Sequence, residues 1–181
     1  GTQKWKLVQP GNILEKDSIN FYSLKFFGGS GEQTKRIDVK DLRTIVGNTD
    51  VKHRMRMAAL YQAAESENRV VVGTTNLSEA AGGFFVKYGD GGVDLEPLSY
   101  LYKSHIYQIA KHLGVPEGIL SRKPSPDTFS AEVADEEFFF RMPYDKVDLC
   151  LYAFFTKAPA DQLAASLGVE AGAEFTLMLG G

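Results

Sequence analysis

Three valines in a row, Val70-Val71-Val72, run straight into Gly73-Thr74-Thr75-Asn76-Leu77-Ser78-Glu79. A short β-branched run of this kind reads as a strand buried on both faces, as in parallel sheets covered by helices. Asn76 and Glu79 then stand at the spacing of a helix N-cap and its third helical residue, so a helix opens where the strand stops. Helical patterns lie on both sides of this unit, and the alternation predicts an α/β architecture.

The flanking pattern fills in the rest. Lys6-Leu7-Val8, residues 24–27 and residues 33–39 read as strands, with Gly28-Gly29-Ser30-Gly31 as a hairpin turn between the second and third. Asp38, three residues before Asp41, opens a helix over 40–46 that Gly47 ends. Thr49 or Asp50 caps a longer helix over 51–67. After the short helix expected at 76–85, the clearest helical stripe opens at Ser99 and carries Tyr102, Ile106, Ile109, Ala110 and Leu113. Gly114 and Pro116 terminate it. Pro124 and Pro126 keep the next stretch extended, and helices are expected at 144–155 and at Ala160–Leu167, the latter stopped by Gly168.

Composition narrows the partners. Twenty Lys+Arg against 23 Asp+Glu leave a net charge of −3, which argues against a general nucleic-acid binder. The lone Cys150 cannot form an internal disulfide and suits a reducing compartment, so a cytoplasmic protein is expected. No apolar run reaches the roughly 18 residues a membrane span requires. Residues 1–5 lack both an initiator Met and the apolar core of a signal peptide, which suggests a processed or cut end. The 181 residues are enough for one domain.

Several side chains can carry chemistry, and each has a plainer reading. Thr74 emerges at the end of a strand beside a helix start, a place where phosphates bind. Glu79 can hold Mg²⁺ together with phosphate oxygens, or simply close a capping box with Asn76. The loop Lys87-Tyr88-Gly89-Asp90-Gly91-Gly92-Val93-Asp94 combines three glycines with a cation and two carboxylates. It can wrap an anionic sugar-containing ligand or be a surface turn. Lys103 sits in the first turn of the helix that opens at Ser99, where a cation opposes the dipole unless an anion is bound; an exposed lysine is the alternative. Arg54, among Lys52, His53 and Arg56, marks an anion site or a solvated face. Ser125 lies between prolines, as a fixed hydroxyl or part of a rigid turn. His53, His105 and His112 lack metal-site spacing, and Cys150 reads as core rather than nucleophile.

In this order the motifs resemble the ammonia-dependent NAD synthetases and the synthetase domains of their glutamine-dependent relatives. The resemblance rests on His53-Arg54-Met55-Arg56-Met57, Val72 through Glu79, Lys87 through Asp94, Leu101-Tyr102-Lys103 and Arg122-Lys123-Pro124-Ser125. It implies a three-layer, mainly parallel sheet flanked by helices, of the adenine-nucleotide alpha-hydrolase-like kind and incomplete at its N-terminal end. Residues 1–50 would be a divergent hairpin and helix region, 51–129 would hold the substrate and ATP motifs, and 130–181 the C-terminal helices. The implied reaction is ATP-dependent amidation of deamido-NAD through an acyl-adenylate attacked by ammonia, releasing AMP and pyrophosphate. The resemblance places Thr74, Lys103 and Ser125 at ATP, and Glu79 at Mg²⁺. It places Arg54, Lys87, Asp90 and Asp94 at deamido-NAD, with no residue required as nucleophile or base. Implied partners are ammonia, free or from a glutaminase domain, and a second copy in a homodimer. The family's earlier Ser-Gly-Gly-x-Asp-Ser loop and its late His-Lys pair have no counterpart, so the chain matches the later part of such a domain. The alternative is a non-catalytic nucleotide-binding or oligomerisation module of the same fold.

Overall fold

The computed structural model describes residues 4–8, 22–28, 31–126, 134–140 and 142–169. Its first layer is an antiparallel meander of β1 (Lys4–Val8), β2 (Ser23–Gly28) and β3 (Gly31–Arg36). Register pairs Leu7 with Leu24, Leu24 with Lys35 and Gly28 with Gly31, so the hairpin expected at Gly28–Gly31 forms; Gly29 and Ser30 lie outside the described residues. Leu7 is fully buried and packs with Ile37, Tyr22 and Leu24 on the strand side and with Leu42 and Ile45 on the next helix. Those last two are three residues apart, so one helix face closes over one sheet face.

That helix, α1 (Val39–Ser66), is continuous for 28 residues, about 42 Å at 1.5 Å per residue. Asp38 caps it as expected, accepting from Asp41 N at 2.7 Å. Gly47 does not end it. A single interior glycine costs about 1 kcal/mol, less than the backbone hydrogen bonds a break would forfeit. The turns on either side of it are anchored, by Ile45 in the first cluster and by buried Thr49 and Met57.

The valine run gives only one parallel pairing among the described residues, an isolated bridge from Val72 to Leu95. Gly73 N donates to Leu95 O at 2.7 Å, and Asp94 N to Val71 O at 3.0 Å. Val71 is 7% exposed, whereas Val70 and Val72 are 62% and 54% exposed. Successive side chains of an extended segment face opposite ways, and the described residues supply a covering layer on the Val71 side alone. The two-sided burial expected of this run is therefore half realised.

The remaining helices pack as a group. They are α2 (Leu77–Gly82), α3 (Lys103–His112), α4 (Glu117–Leu120), α5 (Tyr144–Thr156) and α6 (Ala160–Leu167), with a π-type turn at Glu136–Phe140 before α5. Here α6 keeps its expected bounds, and Gly168 ends it in the left-handed region at φ 69°. The stripe that opens at Ser99 becomes helical only at Lys103, and α4 and the π-type turn carried no clear sequence signal. Helix α5 touches α2, α3, α6 and the π-type turn, burying Tyr144, Val147, Asp148 and Leu151 at helical spacing. Among the described residues no helix is long and apolar enough to cross a membrane. Burial on α5 pushes the Cys150 thiol up, which favours the unreactive protonated form.

Two glycines respond oppositely to alanine. A Cβ at Gly47 meets nothing within 4 Å, whereas one at Gly73 would lie 2.5 Å from Val93 Cγ2 and 2.7 Å from Glu96. Gly47→Ala is expected to stabilise by about 1 kcal/mol and Gly73→Ala to destabilise by about 1–3 kcal/mol in urea titrations. Equal signs would contradict this reading.

Candidate functional site

Segment 71–76 leaves the Val72–Leu95 bridge and enters α2, so Thr74 sits where extended chain gives way to helix. Buried Asn76 accepts from Glu79 N at 3.1 Å, while Glu79 Oε2 accepts from Asn76 N at 3.2 Å. This closes the capping box, but it does not exhaust the carboxylate. Glu79 Oε1 meets Lys103 Nζ at 2.8 Å, and the two side chains are only 16% and 17% exposed. The ammonium also lies 5.3 Å from the centre of the Tyr144 ring. Lys103, which the sequence left open as an exposed lysine, is instead held in the interior.

A cavity of about 480 Å³ opens beside this pair, lined among others by Thr74, Glu79, Asp90, Ser125, Asp135 and Phe139. Four of the eight residues singled out in the sequence thus share one cavity wall. Lys103 stands behind that wall and reaches it through Glu79.

The other three are engaged by the protein itself, along α1. Arg54 Nε donates to Lys87 O at 3.1 Å, and its guanidinium lies 4.0 Å from Asp50 one turn earlier. Lys87 Nζ sits 5.1 Å over the Tyr88 ring, and Tyr88 itself adopts φ 62°, a backbone state costly for a bulky residue. Asp94 accepts from Tyr61 OH at 2.9 Å and from Val71 N at 2.8 Å, tying helix, loop and bridge together. Asp90 has both roles: it lines the cavity while Oδ1 accepts from Val86 N at 2.8 Å and faces His53 Nδ1 at 3.7 Å. Chain approaches chain closely in this loop at Gly92, where a Cβ would lie 3.0 Å from Tyr88 Cα and press on backbone.

Sequence reasoning missed Asp135. It is 5% exposed, its Oδ2 accepts from Tyr144 OH at 3.3 Å, and its Oδ1 has no hydrogen-bond partner. Burial pushes its carboxyl up to about 6; Lys103 pulls the other way, and the Glu79 charge adds to the rise. Burial and the same carboxylates push the Tyr144 phenol well above its ordinary value, so it remains a donor. Around them Phe84, Phe139, Phe140 and Tyr144 form a chain of rings with centroids 4.7–5.5 Å apart. Phe139 and Phe140 thus form an apolar side of the site, and the acidic residues before the phenylalanine run were the available signal.

A family model described as NAD synthase matches residues 21–177. An NH3-dependent NAD+ synthetase of Rhizobium meliloti (strain 1021) is 45% identical over 161 residues, covering 87% of this chain and 48% of that protein. One from Mesorhizobium japonicum is 38% identical over 169 residues, 91% of this chain and 52% of its own length. Among solved structures, NMN synthetase from Francisella tularensis superposes with a TM-score of 0.57 at 33% identity, over 67% of this chain and 49% of that one. NH3-dependent NAD synthetase from Campylobacter jejuni, in complex with nitrate, gives 0.50 at 28% identity, over 68% and 44%. The α/β fold expected from the sequence is the fold of these proteins. The chain spans about half the length of the curated relatives it matches.

Proposed function

The chain belongs to the NAD synthase family, and from that premise we propose that it supplies the later half of a site that amidates deamido-NAD. A carboxylate is a poor acyl donor, so ATP first adenylates the nicotinate carboxylate; ammonia then displaces AMP through a charged tetrahedral state. The observation that carries this reading is the shared cavity of Thr74, Glu79, Asp90 and Ser125, with Lys103 braced on Glu79.

In this arrangement the Lys103 ammonium offsets charge on departing pyrophosphate, and the Thr74 and Ser125 hydroxyls donate to ATP. The cation is already fixed, so little reorganisation accompanies the reaction. Arg54, Lys87, Asp90 and Asp94 lie on the side assigned to deamido-NAD, where Arg54 and Asp94 act chiefly by shaping the loop. The Phe139 wall helps exclude water from the reactive ester.

Among the described residues no three side chains are grouped to hold a metal ion. Mg²⁺ usually takes one or two carboxylates and completes its shell with phosphates and water. Glu79 fits that pattern: it lines the cavity and uses two of its roughly four acceptor positions on Asn76 and Lys103. When bound there, Mg²⁺ would supply positive charge to the phosphates. The further assignments are ammonia as co-substrate, a homodimer and a cytoplasmic location.

The test is an assay of the full-length protein with deamido-NAD, ATP, Mg²⁺ and ammonium. Equal yields of NAD, AMP and pyrophosphate are expected. The likeness to NMN synthetase makes nicotinate mononucleotide the comparison substrate, and a higher kcat/KM for it would reassign the substrate. Nucleotide binding without turnover would favour the non-catalytic module.

A further inference from the structure

Helix α3 lacks a cap of its own: Tyr102 at its N-cap makes no side-chain hydrogen bond to the helix. Its first amides are met instead by two residues remote in sequence. Lys103 N donates to Ser78 Oγ at 3.0 Å, and Ser104 N donates to Asp148 Oδ2 at 2.8 Å. Ser78 Oγ donates in turn to Asp148 Oδ1 at 2.5 Å. The hydroxyl thus directs its single proton to the carboxylate and a lone pair to the helix. Ser78 is fully buried and Asp148 is 6% exposed, a charge placed within the otherwise apolar stripe of α5.

A carboxylate withdrawn from water is costly, and packing alone would be served by an apolar residue. The helix start it caps belongs to Lys103. Consecutive residues of α2 hold that lysine at both ends, Ser78 at its amide and Glu79 at its ammonium. Helix α5 does the same one turn apart, with Tyr144 under the ammonium and Asp148 at the helix start. We infer that Ser78 and Asp148 are a positioning couple that caps α3 from outside and so fixes the Lys103 ammonium against Glu79. The couple touches no substrate, and its catalytic consequence rests on the assignment of Lys103 to ATP.

The test compares Ser78→Ala and Asp148→Asn with the parent full-length protein, first by amine acetylation with a sulfonated N-hydroxysuccinimide ester and mass spectrometry. Lys103 labelling is expected to accelerate about fivefold in both variants, with Lys87 and Lys146 unchanged, as expected for local rather than global opening. In steady-state assays, KM for ATP is expected to rise about tenfold while KM for deamido-NAD stays within about twofold. In a Lys103→Met background, Asp148→Asn should add nothing further to KM for ATP. Unchanged Lys103 labelling, or equal acceleration of every lysine, would overturn the couple. Should Asp148→Asn fail to fold, Ser78→Ala, which removes one oxygen, decides alone. Accelerated labelling with kcat and kcat/KM for ATP both unchanged in Lys103→Met would keep the couple and overturn the ATP assignment.

Discussion

Lys103→Met in the full-length protein is expected to lower kcat for deamido-NAD amidation by about 100-fold or more, the scale seen when one preorganised stabiliser of transition-state charge is removed. The expectation rests on how the ammonium is held. It is 17% exposed, 2.8 Å from Glu79 Oε1 and over the Tyr144 ring, so few of its rotamers remain to be frozen when phosphate arrives. Methionine keeps the length and apolar stem while deleting the charge, which separates electrostatics from packing. Lys103→Arg is not a rescue, because a planar fork does not reproduce a point charge seated between a carboxylate and a ring. Steady-state kinetics on protein shown folded by circular dichroism checks the effect, and kcat and kcat/KM for ATP both within about threefold of the parent would remove Lys103 from the reaction.

Asp135→Asn is expected to stabilise the protein in neutral buffer while lowering its activity. The unfolded carboxyl titrates at 3.8 and the folded one at about 6, so the folded state holds the proton more tightly. Its contribution to stability is fully present below pH 3.8 and is lost as the pH rises through about 6. By about pH 8 the buried, ionised group costs about 3 kcal/mol relative to acid, since each tenfold gain in proton affinity on folding corresponds to about 1.4 kcal/mol. Asparagine does not titrate and retains an acceptor for Tyr144. Urea titrations in metal-free buffer should show the variant's advantage growing by about 2 kcal/mol between roughly pH 4.5 and 6.5, then flattening. An advantage independent of pH would mean that Asp135 is not the group responsible. Stability given up at a cavity wall is a common mark of a functional site.

What could be read in advance was what the chain decides locally. The capping box of α2 and the stop of α6 at Gly168 each depend on residues a few positions apart, and both stand where the sequence placed them. Ordered motifs singled out Thr74, Glu79, Asp90 and Ser125 one by one, with Thr74 and Ser125 expected at ATP, Glu79 at Mg²⁺ and Asp90 at deamido-NAD; their common cavity is a product of the fold. Continuity of α1 through Gly47 was hidden, since local propensity ranks glycine as a stop and only tertiary anchoring reverses it. Ser78 and Asp148 are 70 residues apart, and neither carries a local sign of the other. Asp135 was marked only by the acidic residues ahead of the phenylalanine run, because its burial and the proximity of Lys103 arise only in the fold.

The contacts of α1 with the glycine loop have a further consequence for how this chain can vary. Arg54 meets Lys87 and Tyr61 meets Asp94, and each pair is separated by the same 33 positions. Seven residues along the helix, about 10.5 Å, are thereby matched to seven residues along the loop. Most surface loops absorb insertions at little thermodynamic cost. Here one residue added between Lys87 and Asp94 would put the two anchors out of step, and the helix cannot stretch to follow. The loop's length is thus as constrained as its composition, and changes in length should be found outside this interval rather than within it.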